Sequence, residues 1–126
     1  MKILVVDNLE AFRLLVERHL QSAGYDVTVV DGGLACLEAA KSESFDLVLL
    51  DFMMPVMSGP ETLTALRGCP GYETTPVCFV SAELPFEHER LITKHQVKGW
   101  LTKPVKKDRL LQFVKEVLGN AGAPPP

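Results

Sequence analysis

The chain has 126 residues, a formal net charge of −3 at neutral pH and 47% hydrophobic residues. That length suits one domain of common size with a full core. The acidic balance argues against a surface built to grip nucleic-acid phosphates. Charge is uneven: residues 1–73 hold 11 acidic and 5 basic side chains, whereas residues 74–126 hold 5 and 8. The first part suits a cation and the second a different partner. Cys36, Cys69 and Cys78 show neither a paired framework nor metal-ligand spacing, which fits a reducing cytoplasm. The apolar run Ile3–Val6 is far too short for a signal peptide or a membrane span.

In chain order, Ile3–Val6 is apolar without alternation, as are Leu47–Leu50 and Val77–Val80. Strands apolar on both faces belong to a parallel sheet covered on both sides by helices. Val27–Val30 alternates slightly and predicts a less buried strand, and Gly99–Thr102 is a short fifth candidate. Between them run helical patterns. Residues 9–23 place Phe12, Leu15, Val16, Leu20 and Ala23 on one face, with Gly24 as the stop. Residues 33–43 align Gly33, Cys36, Leu37 and Ala40. Residues 60–67 open on Pro60, which suits a first helical turn. Residues 86–95 give the weakest helix, anchored by Leu91 and Ile92. Residues 107–118 turn Leu110, Val114, Val117 and Leu118 inward, with Gly119 as the stop.

Five alternating strand–helix units predict an α/β fold with right-handed crossovers. The expected form is a flavodoxin-like (βα)5 three-layer sandwich around a parallel five-stranded sheet of order 2-1-3-4-5. Residues 1–119 form the domain, and the Gly, Ala and Pro of residues 120–126 read as a tail or the start of a linker. In such sheets ligands bind at the carboxyl ends of the strands, beside the switch point between strands 1 and 3.

Polar residues stand at those ends: Asp7 and Asn8 after strand 1, Asp51 after strand 3, Ser81 after strand 4 and Lys103 after strand 5. An aspartate after a strand is often only a turn former. Asp51, however, sits between two apolar runs and needs a compensating partner. Two adjacent carboxylates repel by ~4 kcal/mol at ~4 Å and an effective dielectric of ~20. A divalent cation removes that cost, and an oxygen-only site favours Mg²⁺ over zinc. A carboxylate nucleophile with a metal, an ammonium and a hydroxyl is what phosphoryl transfer requires.

The segment Asp51-Phe-Met-Met-Pro-Val-Met-Ser-Gly59 resembles the phosphoacceptor loop D-x-x-M-P-x-x-S-G of response-regulator receiver domains. Val80-Ser81-Ala82 resembles their switch Ser/Thr followed by a small residue, and Leu101-Thr102-Lys103-Pro104 their lysine–proline signature. Leu4-Val5-Val6-Asp7 resembles their first strand and acidic corner, so the likeness spans residues 2–118 in order. The resemblance implies a phosphorylation-activated switch of two-component phosphorelays. Asp51 accepts a phosphoryl group from a histidine kinase or a histidine phosphotransfer protein. Asp7, Asp51 and the Met53 backbone carbonyl hold Mg²⁺. Ser81 bonds a phosphoryl oxygen, and Lys103 pairs with Asp51 or its phosphate. It implies a regulatory domain with only self-catalysed phosphotransfer and autodephosphorylation, located in the cytoplasm, with no membrane contact.

Two positions depart from the family pattern. Asn8 stands where a second acid is usual, which makes its metal contact weak or indirect. Trp100 stands where the switch aromatic is usually Tyr or Phe, and its bulk restricts an inward swing. The Lys103–Pro104 bond is a candidate cis peptide. Met54 reads as a core plug, while Met53 and Met57 are expected to line the site; His19, His88 and His95 do not cluster. Eight of the 13 Lys and Arg residues fall between Arg90 and Lys115. This marks the face of helix 4, strand 5 and helix 5 for a homodimer or an effector. A flavin site is disfavoured because Asp7-Asn-Leu-Glu10 would repel a phosphate. A haloacid-dehalogenase-type phosphatase is disfavoured because Met53 stands where a second Asp is typical. The remaining alternative is a pseudo-receiver, a protein-binding module that works without phosphorylation.

Overall fold

A computed structural model describes residues 1–120 of the chain, and the segment 121–126 of the expected tail lies outside the described residues. Five strands and five helices alternate: β1 Lys2–Val6, α1 Glu10–Ser22, β2 Asp26–Val30, α2 Gly33–Ser42, β3 Leu47–Asp51, α3 Gly59–Arg67, β4 Val77–Ser81, α4 His88–His95, β5 Gly99–Thr102 and α5 Lys107–Asn120. All pairings are parallel and the sheet order is β2-β1-β3-β4-β5. In register, Val5 sits between Val29 on β2 and Leu49 on β3.

Side chains alternate across the pleat, and each apolar strand feeds two cores. Leu4, Val6, Val48, Leu50, Phe79 and Trp100 face one side, where Cys36 and Ala40 of α2 and Leu63 and Leu66 of α3 cover them. Ile3, Val5, Leu47, Leu49, Cys78, Val80 and Leu101 face the other, under Val16 and Leu20 of α1 and four residues of α5: Leu110, Phe113, Val114 and Leu118. β3 and β4 are buried throughout, whereas β2 is an edge strand with no fully buried residue, as its sequence alternation predicts. α4 also has no fully buried residue and leans on the core through Leu91 and Ile92.

Three local expectations change. Leu15 is 45% exposed and Ala23, the C-cap of α1, is exposed, so the inward stripe of α1 narrows to Val16 and Leu20 with Phe12 beside them. α5 continues through Gly119 to Asn120, since one glycine in a last turn costs only about 1 kcal/mol and does not by itself stop a helix. Met57 does not line the site: a Cβ at Gly33 would lie 2.7 Å from its sulfur, so it packs onto the start of α2. Met54 is buried in the core. Among the described residues no helix is long and apolar enough to cross a membrane.

Candidate functional site

Parallel strands bring Asp7, Asp51, Ser81 and Lys103 to one edge of the sheet. β3 ends on Asp51 and β4 on Ser81, while Asp7 and Lys103 directly follow β1 and β5. The Asp51 loop is pulled back against its strand: Gly59 N–H donates to the Phe52 carbonyl at 2.9 Å. A Cβ on Gly59 would lie 2.5 Å from the Asp51 carbonyl oxygen, so only glycine permits this approach. α3 then starts on a capping box, with Glu61 N–H donating to Ser58 Oγ and Ser58 N–H to Glu61 Oε1.

Asp7 is fully buried and Asp51 is 4% exposed. Asp7 Oδ1 accepts from Leu9 N–H at 2.8 Å, and Asp51 Oδ1 accepts from Met53 N–H at 3.3 Å. Lys103 Nζ lies 2.7 Å from Asp7 Oδ2 and 3.7 Å from Asp51 Oδ2. The lysine is therefore shared between the carboxylates and leans towards Asp7. The Asp7 contact is close enough for an ion pair but falls outside hydrogen-bond geometry, so Oδ2 is a buried oxygen with no hydrogen-bond partner. Burial pushes the Asp51 carboxyl up to about 6, with a further push from Asp7 and a smaller opposing pull from Lys103 and the Met53 N–H. The Lys103–Pro104 peptide is cis.

The Ser81 hydroxyl is already engaged on both sides. It donates to the Glu83 carbonyl and accepts from Trp100 Nε1 at 2.8 Å. Trp100 is 8% exposed and wedged between Phe52 and Phe79, with ring centroids 4.7 and 5.4 Å away. Its indole N–H is therefore buried and bonded. Asn8 is exposed, with Met53 at the rim of a cleft of about 530 Å³ that also takes in Asp51, Ser81, Ala82 and Lys103. His19, His88 and His95 take no place among these cleft-lining residues. His95 instead sets its ring edge-on to Phe79, with centroids 5.7 Å apart. Sequence reasoning missed Phe12, whose ring lies 4.5 Å from Lys103 Nζ; its only signal was a place on the inward stripe of α1.

The donor set fits a hard cation. It offers two carboxylates, one with an unpartnered buried oxygen, and no sulfur or imidazole. Among the described residues no group of three or more His, Cys, Asp or Glu could form a cage. A metal here would be held by Asp7 and Asp51 and would need backbone oxygen and water to complete its shell, which is how Mg²⁺ is commonly held.

Sheet order, edge and site define a single parallel α/β domain with an acidic, lysine-bearing centre at its topological switch point. The chain belongs to the response regulator receiver domain family, whose sequence pattern matches residues 3–115. It is 32% identical over 123 residues to the sensor protein GacS of Pseudomonas syringae pv. syringae, covering 95% of this chain but only 14% of that protein. It superposes on the chemotaxis protein CheY4 of Vibrio cholerae with a TM-score of 0.88 and 34% identity, covering 93% of this chain and 98% of that one. The fold is also that of the receiver domain of the sensor histidine kinase PA1611 from Pseudomonas aeruginosa, whose structure has a magnesium ion in its active-site cleft. That likeness has a TM-score of 0.84 at 24% identity and covers 94% of this chain and 97% of that one.

Proposed function

We propose that this domain is a phosphorylation-activated switch in which Asp51 accepts a phosphoryl group from a phosphohistidine of a kinase or phosphotransfer protein. The observation that carries this is the convergence of Asp51, Asp7 and Lys103 within ion-pair distance at the switch point. With its carboxyl near 6, Asp51 is mostly ionised at neutral pH yet more basic than an ordinary aspartate, which favours attack. Its oxygen forms a bond to phosphorus as the phosphorus–nitrogen bond breaks, and the imidazole leaves with the electron pair. Lys103 is already beside Asp51 and follows the new charge on the phosphoryl oxygens. Asp7, Asp51 and the Met53 carbonyl would hold Mg²⁺, which when bound neutralises phosphoryl oxygens. Ser81 completes the site by leaving its two present partners for a phosphoryl oxygen.

The output face lies on α4, β5 and α5. A groove of about 420 Å³ there is lined by Ile92, Trp100, Lys106 and Arg109. Its tryptophan is the one bonded to Ser81, which links the site to a dimer or effector surface.

The second reading, a pseudo-receiver, is favoured by one observation: the Ser81 hydroxyl is engaged on both sides. Intact-mass analysis after incubation with acetyl phosphate and Mg²⁺ separates the readings. A labile phosphoryl adduct, absent in Asp51→Asn, is expected; no adduct on the wild-type chain favours the pseudo-receiver.

A further inference from the structure

We propose that Phe12 is a positioning residue for Lys103, its ring forming the third side of the pocket that holds the ammonium. Lys103 Nζ has Asp7 Oδ2 at 2.7 Å, Asp51 Oδ2 at 3.7 Å and the centroid of the Phe12 ring at 4.5 Å. Only 13% of the lysine side chain is exposed. An aromatic face attracts a cation, but it carries no net charge and accepts no proton. It therefore steadies the ammonium without competing with either carboxylate. An aliphatic side chain would supply the bulk without the attraction.

The turn that carries Phe12 is tied to the same aspartate that the lysine leans on. Leu9 N–H donates to Asp7 Oδ1 at 2.8 Å, and Arg13 Nη1 donates to the Asp7 carbonyl at 2.6 Å. Phe12 is half-buried against the core on the α1 and α5 side, so its ring is a fixed wall. Since Lys103 sits unequally between Asp7 and Asp51, passing from one to the other is a short movement across that wall. Phe12 keeps the ammonium between the carboxylates and out of water. The consequence for the reaction rests on Asp51 being the phosphoacceptor; the positioning itself does not.

The test uses the whole chain with Phe12→Leu, which removes the aromatic face, and Phe12→Tyr, which restores it. Phe12→Met replaces the leucine variant if that one does not fold. The first measurement is NMR of Lys103 without metal or phosphoryl donor. In wild type and Phe12→Tyr, the ε-protons are expected to be shifted upfield by the ring and the ammonium protons to exchange slowly. Phe12→Leu is expected to lose the upfield shift and to exchange roughly fivefold faster, the scale of a weak cation–π contact. Wild-type ε-protons without the shift, or exchange unchanged in Phe12→Leu, overturn the proposal.

The second measurement is the initial rate of phosphorylation by acetyl phosphate with Mg²⁺. It is expected to fall ~3- to 10-fold in Phe12→Leu and to return in Phe12→Tyr. A wild-type chain with a shielded ammonium that takes no phosphoryl group overturns the phosphoacceptor reading alone. An unaltered rate in Phe12→Leu on a phosphorylatable chain overturns the role of Phe12 in the reaction.

Discussion

The Trp100 indole N–H donates to Ser81 Oγ at 2.8 Å, so the bulkiest residue of β5 holds the hydroxyl that, on the proposed function, a phosphoryl group would recruit. A Tyr or Phe at position 100 has no N–H to offer from that place. If Asp51 is phosphorylated as proposed, Ser81 would have to give up a hydrogen bond made by the same aromatic that lines the groove between α4, β5 and α5.

Trp100→Phe removes that donor and keeps an aromatic against Phe52 and Phe79. One such bond contributes about 0.5–1.5 kcal/mol net. The variant is expected to bind a phosphoryl mimic such as beryllofluoride roughly 3- to 10-fold more tightly with Mg²⁺ present, because Ser81 starts with one partner fewer. Calorimetric titration of both proteins checks this. Equal or weaker binding by the variant would mean that the indole does not restrain Ser81.

Asp51 makes the metal-free protein pH-sensitive. Its carboxyl is raised from 3.8 to about 6 by burial and by Asp7, so the folded state retains a proton that the unfolded chain has lost. Stability contributed by the protonated form is present below about pH 4 and is lost as pH rises through 6. At pH 7 the buried charge costs about 1–3 kcal/mol, since each tenfold change in proton affinity is worth ~1.4 kcal/mol. Asp51→Asn should therefore be more stable than wild type at pH 7 in chelator, and the difference should close by pH 4. Urea melts at both pH values measure this, and a constant difference contradicts the raised carboxyl.

The fold was legible because its signals are long and repeated. Three unbroken apolar runs gave β1, β3 and β4, and the alternation of Val27–Val30 gave the exposed edge strand. What failed was detail set by neighbours. Leu15 matches the helical period of α1 as well as Val16 does, yet 45% of it stays exposed. At the site, strand ends gave the positions of Asp7, Asp51, Ser81 and Lys103. Their partnerships were not legible. The resemblance pairs Lys103 with Asp51, but the lysine lies nearer Asp7, a difference of ångströms that spacing along a chain cannot encode. The bond from Trp100 to Ser81 joins residues 19 apart on neighbouring strands and depends on one rotamer.

Val56 holds the backbone at φ +69° while 95% exposed. A β-branched side chain is strained in that left-handed region, and here it buries almost nothing in return. Val56→Asn should raise stability by about 1 kcal/mol, or roughly 3–6 °C in melting temperature for a domain of this size. Val56→Gly should gain less, because glycine also makes the unfolded chain more flexible. Thermal melts that rank wild type above both variants would show that the valine is packed in solution.

Asn8 is an exposed residue at the rim of the cleft that takes in Asp51, where an aspartate would add a third carboxylate near the Asp7 and Asp51 pair. Without metal that charge has no partner to spare, since Lys103 is already shared between the other two. Asn8→Asp should therefore lower the melting temperature in chelator. With metal the sign reverses: affinity follows the charge of the ligands, and a gain of ~1–2 kcal/mol, roughly tenfold, remains after the loss of the amide dipole and water. Trp100, the single tryptophan of the chain, is bonded to Ser81, and its fluorescence is expected to report Mg²⁺ binding. The midpoint of the titration should move to about tenfold lower Mg²⁺. Glu10, at the start of α1, has a side chain long enough to reach a bound metal through water and hide the gain, so the titration is repeated in Asn8→Asp/Glu10→Gln. If neither background binds Mg²⁺ more tightly than wild type, position 8 does not face the metal and the acidic centre is built from Asp7 and Asp51 alone.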